Sequence, residues 1–199
     1  MKLYHSPRSP YVRKVDVLAI ELGLSDRIER VPTDPWRSGD ELLRHNPLSK
    51  VPALVTDDGL TLFDSDVICR YLDSLHDGPG FYPTDRWRWP TLRRAALAEG
   101  ILDAAVLRRN ESQRPDGERS AAWMERQRRA VARALDALEA DAHGLGGPRR
   151  IDQIAAGCAL GYLDFRFGQE DWREGRPALA AWYGVYANRA SMRATVPPA

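Results

Sequence analysis

Ser9 stands directly before Pro10-Tyr11-Val12, between a short strand signal at Lys2-Leu3-Tyr4 and a stretch in which Val12, Val15, Ala19 and Leu22 recur at helical spacing. A hydroxyl residue followed by proline suits the first turn of a helix. At such a terminus the leading backbone N–H groups lack intrahelical partners and the dipole end is positive. An anion is therefore stabilised there, and a hydroxyl aimed at the same place adds one more donor. Ser9 is the leading candidate for that work, with Tyr4 and Ser6 as rival hydroxyls on the same strand and loop. Other chemistries find no support. His5, His45, His76 and His143 are scattered with no HExxH or CxxC nearby, so no metal site is expected. Cys69 and Cys158, the only thiols, are far apart and flanked by apolar residues, which suits two reduced core cysteines. GxSxG, Walker A and GxGxxG patterns are absent, which removes serine hydrolase and nucleotide-binding readings.

The elements that must carry these residues change character along the chain. The first eighty residues alternate strand and helix signals, and the remainder has only helical periodicity. After the first strand and helix, Ile28 to Val31 reads as a second strand and Asp40 to His45 as a short helix. Pro52 to Thr56 and Leu60 to Phe63 flank Asp57-Asp58-Gly59, the composition of a tight hairpin turn. Ser65 then opens a helix as its expected N-cap, with Val67, Ile68, Tyr71, Leu72 and Leu75 on one face. The resulting order is βαβαββα. Two prolines and two glycines fall within the segment from His76 to Arg88, which marks a linker. The expected domains are 1–77, a linker at 78–88, and an all-helical domain at 89–199. Within the last, a long helix is expected from Trp87 to Asn110 and a second up to His143, where Gly144, Gly146, Gly147 and Pro148 stop it. A third carries Ile151, Ile154, Ala155, Cys158 and Tyr162, and a fourth starts at Pro177 and buries Leu179, Trp182, Tyr183 and Tyr186. Tyr162 and the Trp182 stripe read as core.

Ser9-Pro10-Tyr11-Val12 resembles the Cys-Pro-Tyr-Cys of a glutaredoxin, with both thiols missing, so dithiol exchange cannot occur there. Four further stretches resemble the glutathione S-transferase family in order and spacing. Asn46-Pro47-Leu48-Ser49-Lys50-Val51-Pro52 is similar to that family's loop ending in a cis-proline, and Phe63-Asp64-Ser65 to its acidic-Ser pair, with Asp where Glu is commoner. Gly157-Cys158-Ala159-Leu160-Gly161-Tyr162-Leu163-Asp164-Phe165-Arg166 resembles one bacterial branch. Arg150-Ile151-Asp152-Gln153 occupies the place of a Ser/Thr-x-x-Asp capping box, and Asp152 is the expected substitute N-cap. The resemblance implies an α/β thioredoxin-like domain that binds glutathione, followed by an all-α domain contributing the electrophile site. It implies that Ser9 activates the bound thiol and that Val51 pairs its backbone with the cysteinyl part of glutathione. It also implies that Asp64 and Ser65 hold the γ-glutamyl end and that Lys50, after a Ser49 where Gly is common, lies near the glycyl end. The implied activity is a detoxifying glutathione transferase working as a homodimer. The alternatives are a noncatalytic ligand-binding or protein-interaction module and a glutathione-dependent isomerase or peroxidase.

Composition sets the outer bounds. With 43% apolar and 29% charged residues over 199 positions, a packed core under a solvated surface is expected rather than disorder. Lys and Arg total 29 against 28 Asp and Glu, so no overall field draws the chain to nucleic acid or an anionic membrane. The first apolar run, Val15 to Ile20, is broken by Asp16 and too short for a signal peptide or membrane span, so a cytoplasmic location is expected.

Overall fold

Four strands, β1 (Lys2–His5), β2 (Glu29–Pro32), β3 (Ala53–Val55) and β4 (Thr61–Leu62), form one sheet in the computed structural model, which describes residues 1–37 and 39–198. Their order is β2-β1-β3-β4. β1 pairs in parallel with β2, Leu3 opposite Arg30, and antiparallel with β3, Leu3 opposite Leu54; β4 is antiparallel to β3. A parallel pair needs a crossover, and α1 (Pro10–Glu21) supplies it. α2 (Gly39–His45) and α3 (Ser65–Asp73) complete the expected βαβαββα order. α1 packs on α3, whereas α2 packs on β3. Leu3 and Leu54 are fully buried, because the central strands are covered.

The hairpin between β3 and β4 closes as its composition implies. Thr56 N–H donates to the Leu60 carbonyl at 2.9 Å, and Gly59 takes a positive φ of 86° that a side chain would resist. Beyond α3 the chain folds back. The Asp73 carboxylate accepts the amides of Phe81 at 2.7 Å and Tyr82 at 3.1 Å, and the Tyr82 hydroxyl donates to Asp66 at 2.7 Å. The breaker segment is thus held against α3 as far as Tyr82, and the first compact unit runs from Met1 to Tyr82.

The second unit is Pro83–Arg189. Its helices are α4 (Arg88–Ser112), α5 (Ala121–Ala140), α6 (Ile151–Phe167) and α7 (Pro177–Tyr186). α5 ends earlier than expected, and a 3-10 turn at Ala142–Leu145 takes over before the glycines. Every residue of α6 from Ile151 to Leu163 is buried, so this helix is the centre of the unit. Trp182 is only half-buried and gives its indole N–H to the Leu145 carbonyl at 3.1 Å. The cap of α6 differs from expectation. Arg150, not Asp152, is the N-cap residue, since its φ of −145° and ψ of 159° precede the helix. A guanidinium cannot accept an amide hydrogen, and the Asp152 carboxylate takes the Gln153 amide instead at 3.0 Å. Gln153 returns the other half of the box by accepting the Arg150 amide at 3.3 Å. Asp152 is fully buried and bonded to Arg94, itself 2% exposed, at 2.6 Å. Burial pushes the Asp152 carboxyl up against the pull of that guanidinium.

The end of the chain departs from the expected helical domain. A last turn, α8 (Ala190–Ala194), belongs to the first unit and packs on α1. Arg13 of α1 is 7% exposed, and its guanidinium donates to the Met192 carbonyl at 3.0 Å and the Thr195 hydroxyl at 3.4 Å. A buried cation must find acceptors, and the tail brings them. No described helix is long and apolar enough to cross a membrane.

Candidate functional site

Strand directions decide which loops meet. β1 and β4 run the same way and β3 runs opposite, so the end of β1, the start of β3 and the end of β4 lie at one edge of the sheet. Ser9 follows β1, Val51-Pro52 precede β3, and Asp64-Ser65 follow β4. Three stretches far apart in sequence therefore share one end of the first unit.

Ser9 is the N-cap of α1, with φ −82° and ψ 123°, and Pro10 is the first helical residue. Its Oγ accepts the Val12 amide at 3.3 Å, and its N–H donates to the Ser6 carbonyl at 3.0 Å. The cap uses a lone pair of the hydroxyl and not its proton, which can be donated outward. The rival hydroxyl of Tyr4 is committed elsewhere. Tyr4 is 5% exposed, its ring stacks on His45 at 4.7 Å, and its hydroxyl donates to Glu41 on α2 at 3.2 Å. Burial, followed by the Glu41 contact, raises the Tyr4 pKa above its ordinary value. A cavity of about 180 Å³ opens beside Tyr4 and Glu41, and none of Ser9, Lys50, Val51, Asp64 or Ser65 lines it.

The loop before β3 is organised by a residue whose role sequence reasoning missed. Asn46 is 2% exposed; its Oδ1 accepts the Leu48 amide at 3.0 Å and its Nδ2 donates to the Lys50 carbonyl at 2.8 Å. The signal was the Asn-Pro pair, a common opening of an Asx turn. Ser49 has φ 52°, in the left-handed region, which explains physically why glycine suits this place. The Val51–Pro52 bond is cis, as the motif implies, and so is Phe63–Asp64. Val51 is nearly buried, yet its N–H and C=O bond to nothing among the described residues. Buried backbone groups are normally paired, so Val51 offers a free donor and acceptor to a peptide laid alongside it. Lys50 is exposed and enters no ion pair among the described residues.

At α3 the cap is Asp64 and not Ser65. Asp64 has the non-helical ψ of 173°, and its Oδ1 accepts the Asp66 amide at 2.7 Å. Ser65 is the first helical residue, 2% exposed, with its Oγ 3.5 Å from Asp64. The longer reach of the carboxylate, one position earlier, suits it better for the amide two residues on. An exposed carboxylate and a hydroxyl thus flank a second helix N-terminus. Beneath the Ser9 loop, Asp16 of α1 joins His5 of β1 and Arg30 of β2, each at 2.9 Å. This carboxylate ties together the strand, helix and neighbouring strand on which the Ser9 loop is mounted. Sequence spacing carried no sign of it. Among the described residues no three potential metal ligands cluster.

Residues 8–75 match the N-terminal domain of glutathione S-transferase, and residues 121–184 match its C-terminal domain. The GST-like protein YibF of Escherichia coli K12 is 35% identical over 204 aligned residues, covering 100% of this chain and 99% of YibF. A glutathione transferase family member from Pseudomonas fluorescens Pf-5, solved with bound glutathione, is 44% identical with a TM-score of 0.94, covering 100% of this chain and 99% of that one. A second structure from that organism, with bound S-(propanoic acid)-glutathione, is also 44% identical with a TM-score of 0.90 over the full length of both chains. A glutathione S-transferase from Methylobacillus flagellatus KT with glutathione bound is 35% identical, TM-score 0.92, over 99% of each chain.

Proposed function

This chain belongs to the glutathione S-transferase family, and on that premise we propose that it is a glutathione transferase that activates the thiol of bound glutathione for attack on a small, mostly apolar electrophile. The observation that carries this reading is the meeting of the Ser9 hydroxyl, the unpaired Val51 backbone and the Asp64-Ser65 helix terminus at one edge of the sheet. Ser9 donates its hydroxyl proton to the sulfur while the N-terminus of α1 favours the thiolate. Val51 pairs antiparallel with the cysteinyl residue, Asp64 takes the γ-glutamyl ammonium, Ser65 takes its carboxylate, and Lys50 faces the glycyl carboxylate. The bound glutathione of the Pseudomonas and Methylobacillus relatives supports this reading.

Energetics make the role reasonable. A free thiol of pKa about 8.5 is only about 3% thiolate at pH 7, and lowering it to about 6.5 makes about three-quarters anionic. That change corresponds to about 2.7 kcal/mol, within reach of one hydroxyl donor plus a helix terminus. The protein supplies position and electrostatics; the sulfur supplies the nucleophile. Because the S-substituent named in one relative's ligand is a propanoic acid, electrophiles that carry a carboxylate fall within the class.

The working form we propose is a homodimer in the cytoplasm, where Cys69 and Cys158 stay reduced. Trp87 and Trp89, exposed at the start of α4, are apolar surface available to a partner subunit. Two measurements test the reading. Calorimetry should detect glutathione binding, and thioether formation should be followed across a panel of electrophiles and hydroperoxides. Binding without turnover of any of them would favour a noncatalytic module, and no binding would end the reading. Light scattering should give twice the 22.4 kDa chain mass.

A further inference from the structure

Asn46 follows directly on α2, and its backbone and side chain are both fully engaged in the loop that leads to β3. Its N–H donates to the Leu42 carbonyl at 2.7 Å, which ties the loop to the helix. Its carbonyl accepts the Ser49 amide at 2.9 Å and its Oδ1 the Leu48 amide at 3.0 Å, a turn with Pro47 in its second position. The remaining bond, from Nδ2 to the Lys50 carbonyl at 2.8 Å, acts on the peptide group that carries the Val51 N–H. That peptide group is trans, since the cis bonds among the described residues are Val51–Pro52 and Phe63–Asp64. Across a planar trans peptide the C=O and the N–H point to opposite sides. Holding the Lys50 carbonyl on the Asn46 carboxamide therefore turns the Val51 N–H away from Asn46 and keeps it there. The Val51 side chain is held separately, in one buried cluster with Leu42 of α2, Ala53 of β3, Tyr4 and Val12. Core packing fixes one side of Val51 and Asn46 fixes the other. A short carboxamide suits the place because it offers an acceptor and a donor at once, whereas a carboxylate has no donor.

We propose that Asn46 is a positioning residue for the peptide backbone of glutathione: by holding the Lys50 carbonyl it presents the Val51 N–H to the cysteinyl carbonyl before the ligand arrives. This rests on the glutathione reading and adds to its site a residue that acts through another. Asn46 is 2% exposed, so its own effect on a ligand passes through Val51. A donor already aimed saves the ordering that a rotating peptide group costs on binding. The cysteinyl carbonyl is not a reacting atom, so its bond to Val51 is the same before and during attack by the sulfur. Loss of that bond should raise the KM for glutathione and leave kcat in place. A loop loosened as a whole behaves differently, because it also shifts the thiol relative to Ser9 and lowers kcat.

Two substitutions remove the bond to Lys50 and spare the one to Leu48. Asn46→Asp keeps an acceptor for the Leu48 amide and sets an oxygen against the Lys50 carbonyl. Asn46→Ser keeps the turn through its hydroxyl, without a charge and without the reach to Lys50, and stands in should the Asp variant fold poorly. In both, calorimetry should show glutathione bound about tenfold more weakly, and steady-state kinetics should put that loss in the KM for glutathione with kcat changed less than about twofold. Nuclear magnetic resonance of isotope-labelled protein gives a readout without turnover. Glutathione should move the Val51 amide proton downfield and slow its exchange in the wild type, and most of that displacement should vanish in both variants. Unchanged affinity in the variants, or a Val51 amide that responds as in the wild type, overturns the positioning role and leaves the glutathione reading standing. A fall in kcat as large as the fall in kcat/KM also overturns it and makes Asn46 a structural residue of the loop. No binding of glutathione by the wild type overturns both.

Discussion

The Ser9 Oγ accepts the Val12 amide hydrogen across 3.3 Å, so one oxygen closes the first turn of α1 through a lone pair and leaves its own proton available for donation. The two roles can be separated by substitution. Ser9→Gly costs a helix cap only a few tenths of a kcal/mol, whereas Ser9→Ala costs about 0.5–2 kcal/mol. Both lack the hydroxyl and should slow conjugation to the same degree, about tenfold to a thousandfold. Ultraviolet titration of the bound thiolate should move to higher pH in both. If the curves of wild type and variants coincide, Ser9 is a cap alone.

Asp64 and Ser65 should also separate. Asp64→Asn retains an N-cap acceptor for the Asp66 amide but removes the charge proposed to meet the γ-glutamyl ammonium. Glutathione affinity should fall with little change in Tm. Ser65→Ala should weaken binding by about 1–3 kcal/mol, read by calorimetry. Unchanged affinity in both would remove the γ-glutamyl assignment.

Ser49→Gly should stabilise the protein. Relieving a left-handed residue at φ 52° gains about 1–2 kcal/mol, offset by the greater freedom of glycine in the unfolded chain and by a weak 3.4 Å contact to the Pro35 carbonyl. The net expectation is about 0.5–1 kcal/mol, or a Tm rise of about 1–4 °C for a chain of this size. A lower Tm would show that the Ser49 hydroxyl matters more to the loop than its backbone conformation.

Tyr82→Phe should make the protein more sensitive to acid. Burial pushes the Asp66 carboxyl up, but hydrogen bonds from Arg70 and Tyr82 outweigh it and leave the pKa below the ordinary 3.8. A depressed folded value stabilises fully above the unfolded pKa and is lost as pH falls through the folded one. The Asp66 side chain is 42% exposed, so screening limits the loss in the variant at neutral pH to about 1 kcal/mol. The acid-unfolding midpoint should move to higher pH. Superimposable acid transitions would mean that Arg70 alone holds Asp66.

Much of this protein was legible from short stretches of chain. Ser9-Pro10 announces a helix start, Asp57-Asp58-Gly59 a hairpin, and the apolar spacing of Ile151 to Tyr162 a buried helix, because each depends on hydrogen bonds and periodicity within a few residues. The cis bond at Pro52 came from a motif and not from physics. Tertiary structure alone decided the rest. Asp64 rather than Ser65 caps α3, a choice between neighbours that local propensity does not settle. The tail after Ala190 joined the first unit because Arg13, buried on α1, required acceptors 179 residues away. Asp73 drew the segment before Tyr82 onto α3, and Arg94 met Asp152 only through the packing of α4 on α6. Such pairings leave no periodic trace, because what selects them is the desolvation of a polar group and the supply of a partner from wherever the fold brings one.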